Sequence, residues 1–352
     1  MIEVNSLSQE LKPFLGWHQA RISLLAQFIL ALIKVRTTNL TQLAQAFSGN
    51  ALSDSNYKRL QRFLRWFDID FDKMALVIGR LFCSNGKWVL SLDRTNWKFG
   101  SLDINFLVLA VCNQGIAIPI MWCLLPKQGN SNTMERQALV NRFLHVFGVE
   151  KIEVLTADRE FKGKDWLSYL ADKQIPFCLR IPKNTQVINK HRNQRLPVYR
   201  MFSLRANEQM TLSNKRHVWG IPVHISCIMG PKGRVIVICN DCPQLAIRRY
   251  RERWSIETLF GCLKTRGFDL EATHLVDLER ISKLFFVVTL AFGFCFKLGI
   301  WAHKNKKIPI KSHGRRAKSI FRVGLDLIRE YLLNPYTNST CFNQLCRVLS
   351  CT

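Results

Sequence analysis

The stretch YRERWSIETLFGCLK, Tyr250 to Lys264, sets four polar groups in a segment that otherwise reads as a buried helix. At about 100° per residue, with Tyr250 as the origin, Arg253 stands at about −60°, Glu257 at about −20° and Lys264 at about −40°. The four therefore share one stripe. Ile256, Leu259, Phe260 and Leu263 fall on the adjoining arc, between about 180° and 280°. Two further acids stand out by position. Asp93 interrupts the apolar run WVLSLDRT, where a charge is costly unless something pairs it. Asp158 ends the run VLTAD, and strand ends beside crossing helices are where sites are built in α/β sheets. Three carboxylates with no His or Cys partner suit hard, oxygen-seeking ions such as Mg²⁺ or Mn²⁺. Two such ions about 3.5–4 Å apart can activate an attacking oxygen and stabilise a leaving one in phosphodiester cleavage. Arg253 and Lys264 are suited to phosphates. Taken alone, Arg253 and Glu257 at i,i+4 also fit an ordinary helix ion pair.

The totals agree with a polyanionic partner. The chain has 352 residues, with 51 Lys and Arg against 25 Asp and Glu, a net charge of +26. Self-repulsion of that size points first to nucleic acid and second to an anionic membrane surface. The most apolar run, Leu284 to Phe296, is 13 residues long and ends at Lys297. A bilayer span needs about 20, so a core helix is expected and no membrane. No signal peptide is read at the N-terminus. The twelve cysteines are scattered, mostly in apolar runs, which suits a reducing cytoplasm. Cys239 and Cys242 form a lone CxxC without the second ligand pair that zinc prefers.

These residues need a scaffold, and the chain supplies a plausible order of elements. Residues 1–82 read as helical. There NLTQLAQAFSG is followed by ALSDSNYKRLQRFLRWF, a helix expected to be capped by Ser53 or Asp54. Lys58, Arg59, Arg62 and Arg65 gather on one face of it, with Leu60, Phe63, Leu64 and Phe67 opposite. The pair resembles a helix-turn-helix reader, with Lys58 and Arg62 as candidate DNA contacts; a solvated face on a packed helix is the plainer alternative. From Lys87 three β-branched runs suggest neighbouring strands. A helix capped by Asn132 and Glu135 follows, then strand KIEVLTAD, helix KDWLSYLADKQ and strand PFCLRIP. That is the order of an RNase H-like domain, an α/β mixed sheet with helices. Lys183 to Asn240 alternates like an antiparallel sheet and holds ten Lys or Arg and one acid, Glu208. The expected domains are 1–82, a helical DNA-binding region; 83–303, a catalytic domain with the β subdomain inserted at about 183–240; and 304–352, a basic helical tail.

The spacing of Tyr250, Arg253, Glu257 and Lys264, Y-x2-R-x3-E-x6-K, resembles the YREK signature of bacterial insertion-sequence transposases with DDE chemistry, the "insertion sequence four" group. LDRTNWKFG around Asp93 and TADREF around Asp158 look like that group's two aspartate motifs. The resemblance covers roughly residues 85–300. It implies an RNase H-like core with Asp93, Asp158 and Glu257 holding two Mg²⁺ ions, Mn²⁺ being able to substitute, and Asp93 bridging both. It implies that Tyr250, Arg253 and Lys264 grip the DNA end. It implies cut-and-paste transposition: cleavage at terminal inverted repeats of double-stranded DNA, a hairpin in characterised members, and strand transfer into target DNA by a homodimer in a synaptic complex. In relatives a tryptophan of the insertion stacks on a flipped base. Trp219 is the one tryptophan of this insertion and follows Lys215 and Arg216, while a core role is open as well. A bacterial cytoplasmic, nucleoid-associated protein is expected. Two alternatives remain at this level: a catalytically inactive DNA-binding repressor derived from a transposase, and another RNase H-like nuclease such as a junction resolvase.

Overall fold

A computed structural model of the chain describes residues 2–189, 194–312 and 314–334. Lys190 and Arg192 of the basic insertion, and the tail from residue 335 with three of the cysteines, lie outside them. Five helices come first: α1 (Ile2–Leu15), α2 (Gln19–Val35), α3 (Leu40–Gln45), α4 (Ser53–Trp66) and α5 (Phe71–Phe82). Their starts follow local chemistry. The Asn39 side chain accepts from the Thr41 and Gln42 amides of α3, and Asp70 accepts from Asp72 and Lys73 of α5. The expected cap of α4 is corrected. Leu52 is its extended N-cap residue and makes no side-chain cap bond, so Ser53 is already helical and Asp54 lies in the first turn. There its charge complements the helix dipole instead of capping.

The strands follow. β1 (Trp88–Phe99), β2 (Leu102–Asn113) and β3 (Ile116–Leu124) run one after another. Then come α6 (Thr133–Phe147), β4 (Ile152–Ala157), α7 (Lys164–Asp172) and β5 (Phe177–Ile181). Asn132 and Glu135 form the expected capping box on α6. β1 pairs parallel with β4, and β4 parallel with β5, while β2 and β3 are antiparallel. The insertion supplies β6 (Gln186–Asn189), β7 (Gln194–Pro197), β8 (Gln209–Thr211), β9 (Arg216–Val218), β10 (Ile221–Gly230) and β11 (Gly233–Cys239). Among the described residues the main sheet has nine strands, in the order β3-β2-β1-β4-β5-β11-β10-β8 with β9 on β10. This is an α/β fold with a mixed sheet and an N-terminal helical region, as an RNase H-like transposase core requires. The insertion is antiparallel, yet it is not a sheet apart: β11 pairs with β5, so Cys239 faces Cys178 and the core sheet continues into it. Among the described residues β6 and β7 form a separate two-stranded antiparallel sheet.

After the sheet come α8 (Ala246–Glu252), α9 (Trp254–Leu263), α10 (Leu278–Asn305) and α11 (Ile320–Leu333). By internal contact the chain divides into two units. One holds Met1–Cys83, Trp97–Ile104 and the chain from Leu259 onward; the other holds Ser84–Asn96 and Asn105–Thr258. The cut after Cys83 falls beside the sequence boundary at 82, while the chain from Leu259 onward groups with the N-terminal helices, and α10 supplies the reason. It is long and apolar enough to cross a membrane, but every residue from Leu284 to Phe296 is buried inside the first unit. A helix apolar all round needs cover on every side. α10 finds it in α2, α5 and α11, which ties the later helices to the N-terminal ones. The Thr38 hydroxyl donates to the Asp269 carbonyl at 3.0 Å in the same unit.

α10 and α11 touch backbone to backbone through two glycines. A Cβ on Gly324 would overlap the Cys295 carbonyl oxygen, and one on Gly299 the Ile320 carbonyl oxygen. Gly324→Ala is therefore expected to destabilise this unit by about 1–3 kcal/mol in denaturant unfolding. Gly86→Ala, at a site with open space around it, should stay within about 0.5 kcal/mol of the parent. Equal stability of the two variants would refute the close crossing.

Candidate active site

Parallel pairing brings the two aspartates together. In the register of β1 with β4, Leu92 lies opposite Ala157. The next residues, Asp93 within β1 and Asp158 just past the end of β4, therefore stand side by side where the pairing stops. β5 adds a third neighbour: Leu179 lies opposite Ala157, so Arg180 stands beside Asp158, and its guanidinium reaches the Asp158 Oδ1 at 3.4 Å. A cation in the apolar run FCLRI was the available sequence signal for Arg180.

The third acid comes from α9, and Arg253 joins it to the others. The Arg253 side chain is only 4 % exposed. Its guanidinium donates to Asp93 Oδ2 at 3.2 Å, to Glu257 Oε1 at 2.7 Å and, through Nε, to the Tyr250 hydroxyl at 3.1 Å. Tyr250 in turn donates to Asp158 Oδ1 at 3.2 Å. Its ring is fixed in an apolar cluster with Val154, Cys178, Val237 and Ile247. One cation and one phenol thus link all three acids, and the i,i+4 pair of Arg253 with Glu257 is one arm of that larger arrangement.

The continuous helix expected from Tyr250 to Lys264 is corrected. α8 ends at Glu252 and α9 starts at Trp254. Around the junction the Arg253 amide donates to the Tyr250 carbonyl and the Ile256 amide to the Arg253 carbonyl, both at 3.1 Å. These i→i−3 bonds tighten the turn and carry Arg253 inward, where the acids hold it. Past the junction α9 is regular, and the Lys264 amide still donates to the Phe260 carbonyl at 3.0 Å. Lys264 follows the end of α9, belongs to the first unit, pairs with Glu271 at 2.8 Å and lies over the Trp97 ring.

A second network, which sequence reading missed, braces the aspartates from behind. Arg94, next to Asp93, pairs with Glu160 at 3.4 Å and donates to Asn105 and Asn130. Buried Arg136 donates to the Ser131 carbonyl and lies over the Phe161 ring at 5.0 Å. DRT and DRE had drawn attention only to their aspartates.

Charge differs between the acids. Burial pushes the Asp93 carboxyl up from 3.8 to about 6, against the Arg94 amide and Arg253, with Glu160 and Asp158 adding repulsion. Burial pushes Asp158 up too, but the Arg159 amide, Arg253, Arg180 and the Tyr250 hydroxyl outweigh it, so its carboxyl lies below the ordinary value. Burial raises the Tyr250 hydroxyl to about 12. For Arg253 burial works against the charge, and Tyr250, Glu257, Asp158 and Asp93 overcome it.

The remaining sequence candidates belong to other elements. Trp219 is half-buried at φ +48° in the two-residue turn between β9 and β10, with Gly220 at φ +88°. Lys58 and Arg62 are exposed on α4.

A family model described as a transposase DDE domain matches residues 84–293 of the chain. The chain belongs to that family. No curated protein matches it. Transposases of the DDE family act on DNA and generally use divalent metal ions. Asp93, Asp158 and Glu257 are oxygen donors of the kind such an ion takes, although burial disfavours Asp93 as an anion. They do not yet fit in arrangement. Among the described residues no three acid, His or Cys side chains gather around one point, and the Arg253 guanidinium bridges Asp93 and Glu257.

The sign of the Asp93 shift gives a pH prediction. A carboxyl raised above its unfolded value contributes stability below the ordinary 3.8 and loses it as pH rises through about 6. Without divalent ions, aspartate carboxyl ¹³C resonances should show one group titrating near 6 and absent in Asp93→Asn. Arg253→Ala should move that titration up and Glu160→Gln should move it down. A single aspartate population near the ordinary value would refute the burial argument.

Proposed function

We propose that the chain is an active cut-and-paste transposase of the insertion sequence four group, with the YREK signature on Tyr250, Arg253, Glu257 and Lys264. One observation carries this reading. Asp93 and Asp158, just past the last paired residues of parallel β1 and β4, and Glu257, on α9, are joined through buried Arg253, Asp158 by way of the Tyr250 hydroxyl. In the proposal Asp93, Asp158 and Glu257 hold two Mg²⁺ ions, with Mn²⁺ able to replace them. Bound there, the ions would activate the attacking oxygen and stabilise the leaving one.

The chain's own residues do the rest. Arg180 and Tyr250 keep Asp158 ionised and oriented. Arg253 reaches a DNA phosphate only by releasing Asp93 and Glu257. Lys264 and the α4 cations Lys58 and Arg62 bind the terminal inverted repeat. Trp219 stacks on an unpaired base of the cut end; a tryptophan in left-handed backbone costs about 1–2 kcal/mol, a strain of the kind found at functional positions. A homodimer in a synaptic complex would hold the two ends and the target, in a bacterial cytoplasm at the nucleoid. A second reading, an inactive DNA-binding repressor derived from a transposase, is favoured by the same bridge: Arg253 already neutralises the carboxylates an ion would need.

Strand cleavage separates the two. A duplex carrying the DNA that borders the gene, incubated with Mg²⁺, should be cut at a short inverted repeat, and a strand of doubled length would mark a hairpin. Asp93→Asn, Asp158→Asn and Glu257→Gln should each lower cutting by at least about a thousandfold while leaving DNA affinity within a few-fold. Binding without cuts in Mg²⁺ and in Mn²⁺ would establish the repressor. In the same assay Trp219→Asn, which suits the turn better, should fold at least as stably and lose hairpin product; unchanged hairpin yield would remove Trp219 from the reaction.

A further inference from the structure

The exposed face of α4 is not a flat run of charge. Arg62 and Trp66, one turn apart, stand between two clefts and line both. The first cleft, of about 500 Å³, also takes Lys58, Gln61 and Arg65 from α4, and His274 and Arg280 from the later part of the same unit. The second, of about 470 Å³, adds His18, Arg21 and Arg59. Helix geometry agrees: with Lys58 as origin, Arg65 lies at about −20°, Arg62 at about 40°, Trp66 at about 80° and Arg59 at about 100°. No acid lines either cleft. Among the described residues no carboxylate pairs with Arg21, Lys58, Arg59, Arg62, Arg65 or Arg280. Trp66 is 67 % exposed, with the Arg65 guanidinium 5.3 Å from its ring centroid.

An indole left in water between two cationic hollows has no role in packing. We propose that Arg62 and Trp66 form a ridge that enters a groove of duplex DNA, and that the clefts on either side hold phosphates of its two strands. The proposal rests on the reading that the chain binds DNA through α4. It adds Trp66, and brings Arg280 and His274 from outside the N-terminal region into the same site. Cations on both flanks of a ridge match a groove, which has a phosphate strand on each side. A single strand would fill one cleft and leave the other idle. The ridge is built firmly: Leu60, Phe63 and Leu64 behind it are buried, and the Asn56 side chain ties α4 to the Ala51 carbonyl at 3.3 Å.

The test is binding of the full chain to a labelled 30-base-pair duplex and to a single strand of equal length, by fluorescence anisotropy across a series of salt concentrations. The parent should prefer duplex. Arg280→Ala in the first cleft and Arg21→Gln in the second should each reduce the magnitude of the log–log salt slope by about 0.9, the loss of one phosphate contact. Trp66→Ala should weaken duplex binding about tenfold and leave the slope unchanged. Thermal melts would show that each surface variant is folded. A parent chain with no duplex affinity would sink the DNA-binding reading itself. Duplex binding weakened by Lys58→Ala or Arg62→Ala, but indifferent to Trp66, Arg21 and Arg280, would keep that reading and overturn the ridge. Loss confined to the single strand in Trp66→Ala would overturn it in favour of a stacking platform.

Discussion

A guanidinium is tolerated inside a protein only where anions and acceptors surround it. Arg253, with 4 % of its side chain exposed, is such a group, and much of its unit answers to it. Asp93 and Glu257 take its two terminal nitrogens and the Tyr250 hydroxyl takes Nε. Removing the cation would strand Asp93, which burial already disfavours as an anion; removing an acid would strand the cation. The helical break at Arg253 follows from the same demand. A straight helix would carry the side chain past the acids, while the tightened turn aims it at them.

The sheet meets this demand from the other side. The pairing of parallel neighbours β1 and β4 runs to Leu92 opposite Ala157, which fixes the separation of Asp93 and Asp158 through the backbone. The Arg94 to Glu160 bridge then ties the residue after one aspartate to the turn after the other. Tyr250 closes the arrangement through the core: its ring is an apolar member of the cluster over β4, β5 and β11, and its hydroxyl is the polar link to Asp158. The β insertion matters here because β11 extends the sheet and supplies Val237 and Cys239 to that cluster.

The other unit follows a different rule. Its organising element is a helix buried on all sides, so its helices assemble around α10, and glycines at the α10–α11 crossing let the backbones meet. What this leaves outside is polar and basic. With so few acids in the composition, the α4 face keeps its cations unpaired and turned to solvent.

Much was legible in the sequence. Period-two and period-3.6 patterns gave the strands and helices in order, the capping box on α6 included, because those signals are local. Asp93 and Asp158 were visible as charges in apolar runs, and the spacing around Glu257 tied them to a family. Three things were decided only by tertiary structure. Parallel register, a long-range property, placed the aspartates side by side and brought Arg180 to Asp158. The pull of those acids on Arg253 broke a helix whose sequence gives no break signal. And packing around α10 joined chain segments more than 200 residues apart, which put Arg280 in a cleft with Lys58. Sequence fixes which groups carry charge; the desolvation of those charges fixes which of them must meet.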